Sequence, residues 1–180
     1  FLPAGSLRDS PGQYQRAHII IITKCPDNLS DNEISNIRYS LRPLKNQEVF
    51  FTRTIYGQPV HFQGPETSIQ EVNSWIGIAG IAKPLPFFQH IEKELTIKET
   101  FAFPDHHIFS QLELEKLASE CGTFGNRTSG WLTTEKDAMR LKEMNLPSDI
   151  PMYFIPISIA FIQREKEFDL CIEKLLSDKK

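Results

Sequence analysis

Cysteine is scarce in this chain of 180 residues: Cys25, Cys121 and Cys171 are odd in number, far apart and never in a C-x-x-C pair. That argues against a disulfide framework and a zinc knuckle, and suits a reducing, cytoplasmic compartment. Long apolar runs are missing too. Trp75 to Ala82 and Met152 to Ile162 fall short of the roughly 18 residues that read as a bilayer-spanning helix, and Pro156 and Ser158 interrupt the second. Nor is there a basic surplus. The net charge is -3, from 20 Lys/Arg and 23 Asp/Glu, so the footprint that neutralises nucleic-acid phosphates is lacking and nucleic acid is a poor partner. The acids gather in residues 61–120, notably Glu92, Glu94, Glu113, Glu115 and Glu120, where solvated helix faces account for them.

Catalytic signatures are missing as well. No G-x-x-x-x-G-K-[ST] loop occurs, no Gly-Lys pair, no G-x-G-x-x-G, no G-x-S-x-G elbow and no H-x-E-x-H. The chain therefore carries no self-contained nucleotide site and no metal motif. What it does carry is 40% hydrophobic and 24% charged residues, enough for one well-buried core with an extra arm.

Residues 1–16, rich in Pro, Gly, Ser and Arg, read as an extended arm. "AHIIIIT" (17–23) is a β-branched run without alternation, the pattern of a strand covered on both faces. A helix follows, with Ser30 and Glu33 as a capping box and Pro43 as its stop. Glu48 to Ile55 and Pro59 to Phe62 read as strands joined by "YGQP", either a hairpin or an edge addition. From Ser74 a strand, loop and helix recur three times: "SWIGIAGIA" before "KPLPFFQHIEKE", "LTIKETFAF" before "SQLELEKLASE", and "SGWLTT" before "EKDAMRLKEM". "PMYFIPISIAFI" gives one or two last strands, split by Pro156, and 163–180 a terminal amphipathic helix with Phe168, Cys171, Ile172, Leu175 and Leu176 on one side. The alternation predicts an α/β fold, a Rossmann-like three-layer domain with a mostly parallel sheet over residues 17–162.

In such a sheet ligands bind beyond the carboxyl ends of the strands. The polar oddities fall there: "TKCPD", "GIAKP", "PDHH" and "TTEKD". In "PDHH", Asp105, His106 and His107 can serve as base, proton shuttle or metal ligands, or equally form a polar turn begun by Pro104-Asp105. In "TTEKD", Thr134, Glu135 and Asp137 suit a helix N-terminus, which leaves Lys136 as an anion contact. Gly80 offers either close approach to a ligand or strand-helix packing. Lys24 reads as a phosphate contact or, better, as a solvated strand-end lysine, and His18, His61 and His90 read as structural.

Five motifs in one order, "LPAGSLRD" (2–9), "TKCP" (23–26), "GIAKP" (80–84), "FPDHH" (103–107) and "TTEKDAMRL" (133–141), resemble the tetraacyldisaccharide 4'-kinase (lipid A 4'-kinase) family. The likeness implies a bacterial enzyme that moves the γ-phosphate of ATP, with Mg2+, to the 4'-hydroxyl of a lipid A disaccharide precursor at the cytoplasmic face of the inner membrane. It implies that the phosphate loop lies in an N-terminal domain upstream of "LPAG", that this chain is the C-terminal domain, inactive and without its own cofactor when isolated, and that the membrane contact is peripheral. The resemblance further implies that Asp105, His106 and His107 are catalytic, with His106 preferred for orienting or deprotonating the acceptor hydroxyl, and that Arg8, Gly80, Glu135, Lys136 and Asp137 line the substrate side. Ser6, Asp9 and Lys83 depart from the family's usual proline, glutamate and asparagine. Two rivals remain: a "DHH" phosphoesterase, which needs further aspartates as metal ligands, and a non-catalytic module binding an anionic sugar or a partner domain.

Overall fold

The computed structural model describes residues 11–122 and 129–177, with the side chains of 11 and 120–122 left aside. In chain order its regular elements are β1 (Ile19–Ile22), α1 (Asp31–Leu41), β2 (Glu48–Tyr56), β3 (Val60–Gln63), β4 (Ser74–Ala79), α2 (Leu85–Glu94), β5 (Ile97–Ala102), α3 (Gln111–Gly122), β6 (Ser129–Thr134), α4 (Glu135–Leu141), β7 (Met152–Ile155), β8 (Ile157–Phe161) and α5 (Glu165–Ser177). The strands form two sheets, of three and five strands, and the chain divides into two compact units: residues 1–55 with 158–180, and residues 56–157.

The first unit is built on the three-stranded sheet, in the order β1-β2-β8 with β1 and β2 parallel. Its central strand is buried on both faces. Val49 and Phe51 pack with Ile34 of α1, while Phe50 meets Phe161 and Phe168 edge-on at 6.0 and 5.3 Å. The Ser30 capping box starts α1, with Glu33 N donating to Ser30 Oγ and Ser30 N to the Glu33 carboxylate. The helix ends at Arg42, whose left-handed backbone precedes Pro43. As an edge strand of a small sheet, β1 leaves Ile21 44% exposed, so the expected cover on both of its faces is not complete. Residues Pro11–Arg16 of the expected extended arm are coiled into a 3-10 helix. Along α5, Phe168, Cys171 and Leu175 are half-buried, whereas Leu170 and Leu176 stay exposed.

The second unit holds the five-stranded sheet, ordered β3-β7-β6-β4-β5. The four strands from β7 to β5 are parallel, and β3 runs antiparallel to β7 on the edge. The period of two in the central strands sends side chains to opposite layers. Trp75, Ala79, Leu132, Tyr153 and Ile155 pack with Phe87, Phe88 and Ile91 of α2. Ile76, Ile78, Trp131 and Met152 pack with Leu114 and Leu117 of α3 and Leu141 of α4. Helix, sheet and helix make the three layers predicted. Gly77 leaves room for the Ile91 side chain of α2, since a Cβ there would lie 2.8 Å from Ile91 Cδ1.

One local expectation narrows and another holds. The hairpin alternative for β2 and β3 fails because the strands enter different sheets; the edge addition is what occurs, with β3 on β7. Pro156 does split the last apolar run, and its two halves also part into different sheets. A proline cannot donate to a ladder, so it marks the point where one sheet ends and the other begins.

The start of α3 is set by a second capping box. Ser110 N and Oγ donate to Glu113 Oε2 at 2.8 and 2.7 Å, and Glu113 N donates back to Ser110 Oγ at 3.3 Å. These bonds from Ser110 hold the Glu113 carboxyl below the ordinary range. A carboxyl so lowered stabilises the fold fully above its unfolded-state range, and the contribution is lost as pH falls through its folded value. Ser110→Ala is therefore expected to cost about 1 kcal/mol near neutral pH. Urea unfolding of both proteins at about pH 7 and about pH 3 checks it, since the gap must narrow in acid. An equal gap at both pH values would show that the carboxylate bonds contribute nothing.

Candidate active site

The carboxyl ends of β6, β4 and β5 lie side by side in the five-stranded sheet. "GIAKP" leaves β4, "PDHH" leaves β5 and "TTEKD" spans the end of β6 and the start of α4. "TKCPD" does not belong to this edge, because it follows β1 of the other sheet. There Cys25 N bonds Thr52 O at 3.0 Å and Asp27 pairs with Arg53 at 3.1 Å, so the four expected strand ends reduce to three.

Asp137 joins two of these, the ends of β4 and β6. Its side chain is fully buried, and Oδ2 accepts from Gly80 N at 2.8 Å and from Thr134 Oγ1 at 2.7 Å. Thr134 in turn caps α4 by accepting from Asp137 N at 3.2 Å. Thr133 Oγ1 donates to Ile78 O at 2.8 Å, and Phe103 N donates to Ala79 O at 2.8 Å. A Cβ on Gly80 would lie 3.1 Å from Asp137 Oδ1, which explains the glycine: the backbone must approach the carboxylate closely. Asp137 is thus a brace between loops rather than a surface group. Arg140 lies on the same helix, with Nη1 3.5 Å from Asp137 Oδ1 and Nη2 3.3 Å from His106 Nδ1.

The two adjacent histidines have different surroundings. His107 stacks on Phe103 at 4.7 Å, meets the edge of Phe109 at 5.1 Å and bonds Glu113 through Nε2 at 3.2 Å. It is part of the scaffold under the loop. His106 has a side chain 73% exposed and a backbone in the left-handed region, φ 61°. Asp105 Oδ1 accepts from Lys136 Nζ at 3.1 Å and from His106 N at 3.0 Å, and Oδ2 lies 3.7 Å from His106 Nε2. The Lys136 hydrogen bond holds the Asp105 carboxyl below its usual range. Glu135 stands exposed in the first turn of α4, and Arg8 lies outside the described residues. His61 packs edge-on against Tyr153 and His90 stacks on Tyr56 at 4.2 Å, as structural histidines do.

A model of the tetraacyldisaccharide-1-P 4'-kinase family matches residues 1–177. The chain belongs to that family. Curated tetraacyldisaccharide 4'-kinases resemble it closely: that of Flavobacterium johnsoniae is 37% identical over 98% of this chain, and that of Porphyromonas gingivalis strain W83 is 32% identical over 97%. The chain spans about half the length of these relatives, 50% of each. Among solved structures, the LpxK of Aquifex aeolicus, crystallised in complex with ATP, shares the fold with a TM-score of 0.57 and 18% identity, over 97% of this chain and 47% of that one.

Within this tetraacyldisaccharide 4'-kinase fold, residues not singled out in the sequence turn out to matter. Arg140 was foreshadowed only by its spacing, three residues after Asp137 on one helix face. Glu113 doubles as helix cap and partner of His107, a contact across six residues that no helical period indicates. Among the described residues, no three His, Cys, Asp or Glu side chains converge to hold a metal. Among them, no helix is long and apolar enough to cross a membrane.

Proposed function

We propose that this chain is the acceptor-side, C-terminal half of a tetraacyldisaccharide 4'-kinase, which transfers the γ-phosphate of ATP to the 4'-hydroxyl of a lipid A disaccharide precursor. The observation that carries the reading is one exposed imidazole, His106, on the loop after β5, with Arg140 against its Nδ1 and Lys136 on the adjacent Asp105, both cations from the helix that begins at the end of β6. Phosphoryl transfer asks of a protein chiefly positioning and charge stabilisation, and a ring with one cation against it and a second on the adjacent carboxylate provides both. His106 would engage the acceptor hydroxyl. Lys136 would face the anionic groups, while Asp105 steadies the loop and Glu135 and Gly80 border the acceptor. His107 and Asp137 would act by holding the loop in place. The ATP phosphates would be bound by a phosphate loop in the other half of a protein as long as its relatives, with Arg8 near the junction. Such an enzyme works peripherally at the cytoplasmic face of the inner membrane, where its lipid acceptor resides.

Magnesium finds no ligand set among the described residues, and the Asp105 carboxylate is already engaged by the Lys136 ammonium. No step is assigned to the metal on this chain. The same arrangement disfavours the phosphoesterase alternative, which asks Asp105, His106 and His107 to turn toward one cation. Phosphate transfer from labelled ATP to tetraacyldisaccharide 1-phosphate tests the proposal in the full-length protein. Transfer that depends on His106 supports it. Full activity after both His106 and His107 are replaced by alanine would leave a binding module instead, and manganese-dependent phosphodiester cleavage by the chain would revive the phosphoesterase.

A further inference from the structure

Arg140, the cation that touches the His106 ring, has a guanidinium that spans two very different environments. On one side Nη1 lies 3.5 Å from a carboxylate with no exposure, and on the other Nη2 lies 3.3 Å from Nδ1 of an imidazole that is 73% exposed. Asp137 Oδ1 and Arg140 Nη1 are both buried and hydrogen-bonded to no described group, so each is the charge partner of the other. A guanidinium at ordinary pH can only donate. Nδ1 of His106 is then the acceptor, which places the ring proton on Nε2, the nitrogen 3.7 Å from Asp105 Oδ2.

We propose that Arg140 is the positioning residue of His106: anchored by the buried Asp137, it fixes the ring's rotamer and tautomer so that His106 offers a hydrogen-bond donor at Nε2. The proposal rests on the reading of His106 as the acceptor-facing group and sharpens it. A ring that offers Nε2–H orients an oxygen, of hydroxyl or phosphate, and leaves the removal of the hydroxyl proton to another group. The backbone at His106 is consistent with such a hold. A non-glycine residue at φ 61° persists where its surroundings over-determine it, and here His106 is tied by its amide to Asp105 Oδ1 and by its ring to Arg140. Lysine cannot replace this arginine, because a point charge on one flexible stem does not grip two partners in a fixed plane.

Nuclear magnetic resonance of the labelled chain tests the link directly. Separate, slowly exchanging Nη signals are expected for Arg140 in the wild type, together with a His106 ring that carries its proton on Nε2. Both His106→Gly and Asp137→Asn are expected to average the Nη signals, and Arg140→Lys to release the ring into a mixture of tautomers. In the full-length enzyme Arg140→Lys is expected to lower kcat on the order of 10- to 100-fold with KM unchanged. In a His106→Gly background the same change should have no further effect. Arg140 signals that are alike in wild type and variants, or an equal kcat loss in both backgrounds, would overturn the proposal. Intact activity in His106→Gly with the Arg140 signals averaged would instead uphold the link and refute the catalytic reading of His106.

Discussion

Asp137→Ala is expected to lower the stability of the chain by about 3–5 kcal/mol, the usual cost of removing one partner of a buried ion pair. The carboxylate is fully buried and serves three groups: Gly80 N, Thr134 Oγ1 and the Arg140 guanidinium. Its removal leaves an amide donor without a partner and a largely buried cation without a counter-charge, and the methyl group of alanine cannot fill the space. It also removes the joint between the ends of β4 and β6. For a chain of this size the loss corresponds to a fall in melting temperature of about 2–4 °C per kcal/mol. Thermal unfolding followed by circular dichroism measures it, and a fall of no more than a degree or two would show that the pair is already broken in solution. Asp137→Asn is the informative companion. It retains one oxygen for Gly80 N but loses the charge facing Arg140, so it separates the brace from the ion pair.

The largest expected effect on activity is that of His106→Gly. Alanine is the customary truncation, but the backbone at this position is left-handed, and glycine adopts that conformation without strain. Loss of a side chain that orients or transfers a proton in a transition state costs about 10²- to 10⁴-fold in rate. The fold, meanwhile, is expected to gain up to about 1 kcal/mol from relief at φ 61°. A protein slightly more stable and nearly inactive is the signature of strain kept for function. Steady-state phosphate transfer by the full-length enzyme and the melting temperature of the same preparation check both halves. Unchanged kcat would remove His106 from the chemistry. His107→Ala is expected to behave in the opposite sense, since its ring lies between Phe103 and Phe109 and bonds Glu113, so stability suffers first.

The layers were legible in the sequence because periodicity reports burial. The unbroken apolar run around Trp75 to Ala79 becomes a central strand covered on both faces, and the two capping boxes at Ser30 and Ser110 begin helices at the predicted positions. The division into two sheets was not legible. β1 and β4 look alike as short apolar runs, and nothing in a local pattern says which neighbour a strand will pair with. The same limit misplaced "TKCPD" on the shared edge. At the site, the sequence pointed to the three loops but not to the difference between His106 and His107. That difference arises from Phe109 and Glu113, which close over one ring and leave its neighbour in solvent. Asp137 read as a helix-dipole acid beside a ligand, whereas burial turns it inward to Gly80, a contact 57 positions away along the chain.

Where β2 ends, Gly57 N donates to Pro156 O at 2.8 Å, and a Cβ on Gly57 would lie 2.9 Å from the proline ring. The two ends of the segment 56–157 therefore meet, and in sequence that segment interrupts the other unit. The three-stranded sheet is completed only when β8 joins β2 across that segment, whereas the five-stranded sheet draws all its strands from one continuous stretch. Loop closure favours contacts between near neighbours in sequence. By that measure the five-stranded sheet, which carries the histidines, closes shorter loops than the sheet that must join β2 to β8.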